Sequence, residues 1–382
     1  MALAETDLEA GPGAGRNVRH GLGYDGQWTL VWRRFSRHRL GVAGAVVVLL
    51  LYLTALVPEF LAPDTPEAYH PTYAYAPPQA IHWGVRDSRG WHFEPHVDAY
   101  ATKIDYHSGR RLFVDDPARP IDLGLFVHGE AYRLLGLVPS DIHLIGPVHA
   151  GAPVYLVGAD RLGRDILSRT IYGTRISMTI GLIGVALSLV FGILIGGISG
   201  YFGGIVDNLI QRLIEFIQSV PSIPLWMGLA AAIPQDVPPL EVYFFITIIL
   251  SVIGWTGLAR VVRGRFLAMR NEDFVKAAQL DGASTLRILV RHMLPSFLSH
   301  IVAVVSLAIP SMILAETALS YLGIGLRQPI VSWGVLLQEA QNVHTIADAP
   351  WLLLPGLAVV IAVLSLNFLG DGLRDAADPY AD

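Results

Sequence analysis

ISMTIGLIGVALSLVFGILIGGISGYFGGIV, residues Ile176–Val206, contains no aspartate, glutamate, lysine or arginine. It exceeds the roughly 20 apolar residues that a helix needs to cross a bilayer. The glycines toward its end, Gly196, Gly197, Gly200, Gly203 and Gly204, predict a membrane helix followed by its exit turn. Five further charge-free runs of similar character lie on either side, Leu40–Pro58, Phe216–Gln235, Val242–Ala259, Leu294–Ala315 and Ala349–Gly370. The expected architecture is an all-α polytopic membrane protein with six transmembrane helices at about 40–60, 176–200, 208–233, 242–262, 294–317 and 349–370. Composition agrees, because 53% hydrophobic and 15% charged residues in 382 is too apolar for an ordinary soluble domain. Cysteine is absent, which removes disulfides and thiolate metal sites from consideration. Thr317–Leu326 is apolar but too short to span, and reads as a re-entrant or interfacial segment.

Arginine placement orients the chain. WRRFSRHR, Trp32–Arg39, precedes the first run, and Arg260, Arg263, Arg265, Arg270, Lys276, Arg287 and Arg291 crowd the segment between the fourth and fifth. Both stretches belong on the cytoplasmic side by the positive-inside rule, which puts both termini there. A cleaved signal peptide is not expected, since the first apolar run begins only at Leu40. The layout is then a cytoplasmic segment 1–39, a first transmembrane helix 40–61, an extracytoplasmic insert 62–174, a core 175–370 containing a cytoplasmic loop 263–293, and a cytoplasmic tail 371–382.

Within that loop DFVKAAQLDGASTLRILVRHMLPS, Asp273–Ser296, reads as two short helices separated at Asp281–Gly282. Phe274, Ala277 and Ala278 are expected on one face of the first, and Leu286, Leu289, Val290 and Met293 on one face of the second. Spacing alone fits either a solvated interhelical connection or a docking element for a partner.

KAAQLDG followed by HMLP resembles the EAA signature of binding-protein-dependent ABC importer permeases, matched here at Ala277, Ala278, Gly282, Leu294 and Pro295. Two positions depart, with Lys276 where the family usually has glutamate and His292 where it often has isoleucine. VGADRLGRDILSRTIYGTRIS (Val157–Ser177), GYFGGIVDNLIQR (Gly200–Arg212), ALSYLGIGLRQPIVSWG (Ala318–Gly334) and LNFLGDGLRDAADP (Leu366–Pro379) resemble, in order, segments of the oligopeptide/dipeptide class, second permease subunit. WRRFSRHRLGVAG and APDTP resemble the start and end of its first transmembrane unit. The resemblance implies a bacterial inner-membrane subunit for peptide import that pairs with a homologous permease, two cytoplasmic ABC ATPase subunits and an extracytoplasmic solute-binding protein. It further implies that Phe274, Lys276, Ala277, Ala278, Asp281, Gly282, Leu294 and Pro295 form an ATPase-coupling element. Oligosaccharides, opines or a metal complex are the alternative cargoes, and relatives usually have a shorter connection in place of 62–174.

Lysine usage bears on where ATP binds. A P-loop needs a lysine directly after glycine, whereas Lys103 follows threonine and Lys276 follows valine, and the chain has no other lysine. No cofactor is therefore expected on this chain, with ATP and Mg assigned to the partner ATPases. An enzyme reading finds no Gly-x-Ser-x-Gly and no cysteine site, and a channel or secondary transporter would usually show intramembrane charge pairs or an inverted repeat. Membrane lipid is the remaining partner, and nothing points to nucleic acid.

Glu316, near the outer end of the fifth run, is a pathway or pairing candidate because ionisable groups in a bilayer are costly. Pro221 and Pro224 should kink the third helix and are gating candidates. Arg212 and Glu215, one turn apart, read as an intrahelical ion pair. The insert mixes aromatic residues with β-prone runs at Arg111–Val114, Leu123–His128 and Val154–Val157, which suits a small folded module, and its histidines, among them His92 and His96, read as ordinary loop residues, with no metal site expected.

Overall fold

The computed structural model describes residues 27–87, 90–104, 111–149, 153–234 and 236–377. The ends of the expected terminal segments, 1–26 and 378–382, lie outside the described residues. Helix α1 (Gln27–Phe35) leads into α2 (Arg39–Leu56), which is capped by His38 through a hydrogen bond from Gly41 N to Nδ1 at 2.9 Å. After the intervening segment come α3 (Ile166–Phe202), α4 (Gly204–Ser219), α5 (Ser222–Ala231), α6 (Pro239–Met269), α7 (Asp273–Leu280), α8 (Leu298–Tyr321) and α9 (Leu354–Ala377). Among the described residues five spans are long and apolar enough to cross a membrane, and the bent pair α4–α5 makes a sixth if taken as one span.

The third expected helix, 208–233, is corrected to two helices meeting at 86°. Val220, restricted by the proline after it, is extended at φ −88°, ψ 129°, and Pro221 starts a new direction. The second helix starts ten residues earlier than the charge-free run. Asp165 caps it, accepting from Ser168 N at 2.7 Å, and the charges in its first turns are neutralised: Arg175 forms a fork with Glu59 at 2.6 and 2.8 Å and also donates to the Ala55 and Leu56 carbonyls. α6 and α9 also run past the expected ends of the fourth and sixth helices.

Only part of the glycine-rich end of α3 is an exit turn. Gly203 and Gly204 take positive φ (65° and 57°) and make the turn into α4. Gly192, Gly196 and Gly200 instead remain helical, and a Cβ at Gly196 would stand 2.4 Å from Ala259 O and one at Gly200 2.7 Å from Arg263 O. This small-xxx-small stripe lets α3 and α6 pack backbone to backbone, the usual way membrane helices associate when lipid supplies no hydrophobic drive. α2 and α9 meet likewise, with Gly44 against the Ser365 carbonyl and Gly41 against Gly372.

Within the insert 62–174 the chain forms a sheet, which takes in two of the three β-prone runs. β1 (Ile81–Asp87), β2 (Gly90–Ile104), β3 (Arg111–Leu134) and β4 (Val138–Pro147) form an antiparallel meander in that order. Arg111–Val114 and Leu123–His128 both fall in β3, whose first half pairs with β2 and second half with β4. Val154–Val157 is no strand; it lies beside Gln79, exchanging Gln79 N to Tyr155 O (2.9 Å) and Tyr155 N to Gln79 Oε1 (2.7 Å). The module is tied to the helices through Asp64 N, which donates to Ser168 Oγ, and through the buried His143, whose Nδ1 is 2.7 Å from Ala62 O.

Candidate coupling loop and membrane site

α7 ends where Gly282 adopts φ 76°, a conformation that costs little only without a Cβ. Ala283 N then donates to Ala278 O at 3.0 Å and Ser284 Oγ accepts from Arg287 N, so the chain leaves one helix and is capped into the next. From Thr285 the backbone stays helical to α8, through a π turn at Ile288–Met293 and a 3₁₀ turn at Leu294–Phe297. Pro295 has no N–H for the α ladder, and the hydrogen-bond spacing changes around it.

Val275, Ala278, Ile288, Met293 and Phe297 point inward and pack on Val262 and Phe266 of α6 and Ile301 of α8. The rings of Phe266 and Phe297 meet edge to face, with centroids 5.5 Å apart. Gln279 Nε2 donates to Tyr201 OH at 3.1 Å, which joins the loop to α3 as well. The expected faces are therefore corrected: Ala278 and Met293 are buried, whereas Phe274 and Ala277, and Leu286 and Val290, point out, with Leu289 between. Leu280 is 88% exposed and Leu286 63%, and with Phe274 and Val290 they form an apolar outer surface. Lys276, Asp281, Gly282 and Pro295 are exposed on this loop, and Leu294 is half-buried.

Behind the loop, Arg263 of α6 grips Asp207 of α4 with Nε–Oδ1 at 2.5 Å and Nη2–Oδ2 at 2.6 Å, while Ser199 Oγ of α3 donates to Asp207 at 2.5 Å. The expected intrahelical pair Arg212–Glu215 forms at 2.8 Å and is well exposed, whereas Asp207 on the same helix pairs at long range. The long-range partner was one of many arginines, and nothing local singled it out.

Glu316 is fully buried. The Ser320 and Ser332 hydroxyls each donate to its Oε1 at 2.8 Å, and Ser177 Oγ lies 3.5 Å from Oε2. Those hydroxyls in turn accept backbone N–H groups, Leu326 on Ser320 (3.0 Å), Val335 on Ser332 (3.2 Å) and Trp333 on Ser177 (3.1 Å). One carboxylate thus fastens α3, α8 and the returning stretch 322–335, whose Trp333 is buried and donates Nε1 to Thr170 O. The short run Thr317–Leu326 is accordingly the end of α8 plus a turn at Gly323, φ 77°.

At the same end of α3, beside its first turn, lies a charge cluster that sequence reading did not single out. Asp160, 2% exposed, accepts from Arg164 Nε at 2.6 Å and from the buried Arg169 at 3.0 Å, and Arg161 pairs with Glu339 at 3.1 Å. Burial pushes the Asp165 carboxyl up to about 6, against the hydrogen bonds from Ser168 and Leu167. Burial also raises Glu339, and the charge of Asp160 adds to it. Among the described residues no three His, Asp or Glu side chains converge as metal ligands.

Residues 188–381, which contain the loop, Glu316 and the Asp207–Arg263 pair, match the family described as binding-protein-dependent transport system inner membrane component. The chain belongs to that family. Residues 26–78 match the N-terminal TM domain of oligopeptide transport permease C. Among individual relatives, the oligopeptide transport system permease protein OppC of Haemophilus influenzae is 38% identical over 226 residues, 59% of this chain and 70% of that protein. The dipeptide transport system permease proteins DppC of Lactococcus lactis subsp. cremoris (31% over 358 residues, 92% of this chain and 90% of that protein) and of Bacillus subtilis (29% over 350 residues, 91% and 84%) are similar over more of the chain. The protein is thus a multi-pass inner-membrane permease component of a binding-protein-dependent transport system.

Proposed function

We propose that this chain is one membrane subunit of an ATP-driven importer of di- and oligopeptides, forming half of the translocation pathway beside a homologous second subunit. Relatives named as oligopeptide and dipeptide permeases support the cargo. The solute arrives from an extracytoplasmic binding protein, and ATP and Mg act on two separate cytoplasmic ATPase subunits. Both termini and the loop 263–293 face the cytoplasm in this reading. Residues 62–174 face outward, where the β-meander guides the binding protein or covers the mouth of the pathway.

The observation that carries the coupling role is the two-sided loop: its inner face is packed onto α6 and α8, and its outer face leaves Phe274, Leu280, Leu286 and Val290 exposed. Phe274, Lys276, Ala277, Asp281 and Gly282 would meet an ATPase groove, with Ala278, Leu294 and Pro295 holding the loop to the bundle. When ATP draws the two ATPases together, the loop moves with them and α6 and α8 tilt, switching access between the two sides of the membrane. The break at Pro221, with Pro224 in the first turn of α5 after it, and the Glu316 junction are the places where that tilt would open or close the path.

The test is a charge placed on the exposed face. Ala277→Glu with Leu280→Glu leaves the buried face intact, so thermal stability of the permease pair should hold. The ATPases should be lost from pull-downs, or solute-stimulated hydrolysis should fall to its basal rate. Full coupling in this variant would overturn the assignment of the loop.

A further inference from the structure

The insert and the stretch between α8 and α9 enclose a cleft of about 560 Å³. Tyr75, Arg111 and Phe113 line it from the insert, and His344, Asp348 and Trp351 from the other side. Its walls are fixed by the contacts behind them. Arg111 Nη1 donates to the Thr72 carbonyl and, at 3.3 Å, to that of Pro71. Phe113 stacks on Tyr73, with centroids 6.3 Å apart, and meets Tyr100 edge to face at 5.3 Å. Trp351 donates Nε1 to Ala159 O at 2.9 Å and lies so close to Gly158 that a Cβ there would stand 2.6 Å from its ring. Tyr75 is held at φ 56°, its N–H bonded to Asp160 O at 2.9 Å and its hydroxyl in reach of the Thr345 side chain on the facing wall. A bulky residue kept in the left-handed region by its surroundings is the kind of strain found at ligand clamps.

The volume falls in the range of small-molecule sites, roughly 300–1,000 Å³, whereas a docked protein covers a broad face of roughly 800 Å² on each partner. The cleft thus suits a small ligand, and its lining says which kind. Arg111 is exposed, and among the described residues its partners are backbone carbonyls and no carboxylate. With Nη1 occupied, Nε and Nη2 remain to meet an anion, and a carboxylate fits that planar fork. Asp348 is exposed on the facing wall, and a carboxylate has room for several donors, an ammonium among them. Tyr75, Phe113 and Trp351 add aromatic surface, which packs against side chains of many shapes. A small molecule with a carboxylate, an ammonium and variable side chains is a short peptide with free ends.

Resting on the importer reading above, we propose that this cleft is a peptide subsite of the permease itself, taking a di- or tripeptide with its terminal carboxylate on Arg111 and its terminal ammonium on Asp348. The insert then takes part in cargo recognition. It holds the peptide after the binding protein releases it and before the pathway opens.

The experiment is equilibrium dialysis of radiolabelled trialanine, trialanine amide and N-acetyl-trialanine against the complete importer in nanodiscs, without binding protein. Trialanine should bind saturably. Arg111→Gln should weaken it at least tenfold, the value of a hydrogen bond to a charged group, while trialanine amide binds variant and wild type alike. Asp348→Asn should weaken trialanine similarly and leave N-acetyl-trialanine unchanged. Equal loss of all three ligands in either variant would overturn the proposal, by assigning that residue to the fold and not to one end of the peptide. Absence of saturable binding to the wild type would also overturn it, and uptake of trialanine by the same importer with its binding protein in liposomes would then leave the importer reading standing. Failure of that uptake would overturn the importer reading and the subsite with it.

Discussion

Asp207 and Arg263 face each other across the α4–α6 contact in a two-pronged ion pair, 2.5 and 2.6 Å, with Ser199 of α3 completing the carboxylate's hydrogen bonds. Three helices converge on this one carboxylate immediately behind the loop. Hydrogen bonds to a charged group contribute about 1.5–3 kcal/mol each, and this pair is only partly shielded from solvent, so the lower end applies. Asp207→Ala should cost about 2 kcal/mol in thermal unfolding of the purified subunit in detergent. The double change with Arg263→Met should cost no more than the single one, because the loss is that of a shared interaction. Additive losses would mean that the two residues act separately.

Gly196 and Gly197 are adjacent but differ in what a side chain would meet. A Cβ at Gly196 falls 2.4 Å from Ala259 O, and one at Gly197 comes no nearer than 3.6 Å to Phe266. Gly196→Ala should push α3 from α6 and lower stability by about 1–3 kcal/mol. Gly197→Ala should be neutral or slightly stabilising, through helix propensity. Paired melting curves decide it, and equal effects would show that the stripe does not set the approach.

Asp165 gives a pH signature. Its folded-state value of about 6 lies above the ordinary 3.8, so the folded protein holds this proton more tightly than the unfolded chain does. Its contribution to stability is fully present below pH ~4, is lost as pH rises to about 6, and is flat above; the loss is on the order of 3 kcal/mol. Asp116, whose value is lowered by its hydrogen bond from Arg119, contributes with the opposite sign outside this comparison. Asp165→Asn keeps a capping oxygen and removes the titration. The difference in unfolding free energy between wild type and Asp165→Asn, followed from pH 4 to 7, should therefore slope against the wild type, and a level difference would refute it.

Glu316 separates two kinds of loss. Glu316→Gln retains an oxygen that the Ser320 and Ser332 hydroxyls can reach, and should cost less than about 1.5 kcal/mol. Glu316→Ala strands the hydroxyls and leaves a void, which together amount to about 3–5 kcal/mol. Limited proteolysis at the 322–335 stretch should rise only in the alanine variant.

Much of this was legible in the sequence, and the failures have physical causes. Uncharged runs located the membrane helices because an unpaired charge in lipid is expensive, but the same criterion cut α3 short at Arg175, whose charge is matched by Glu59 one helix away. The prolines announced the break before α5. Glu316 stood out as a lone carboxylate among apolar neighbours, yet its three serine partners come from separate stretches. On the loop, the helical period was right and its phase was wrong, since Val275 and Ala278 satisfy the same spacing as Phe274 and Ala277. The meander escaped notice as a sheet because Pro117 and Pro120 interrupt β3 and its exposed faces show little alternation.

The length of α3 has a mechanical consequence. It is one unbroken helix of 37 residues, about 55 Å at 1.5 Å per residue, reaching from the buried Asp160–Arg169 cluster to Tyr201, where the loop's Gln279 takes hold. For any motion that keeps the Gly196–Ala259 contact in place, that contact is a fulcrum placed far off centre: about 9 Å of helix lies on the Phe202 side and about 45 Å on the Ile166 side. A shift of roughly 1 Å where Tyr201 is pulled, about 7.5 Å from the fulcrum, becomes roughly 6 Å at the far tip. The glycines that let two helices touch thereby set the gearing of the whole subunit.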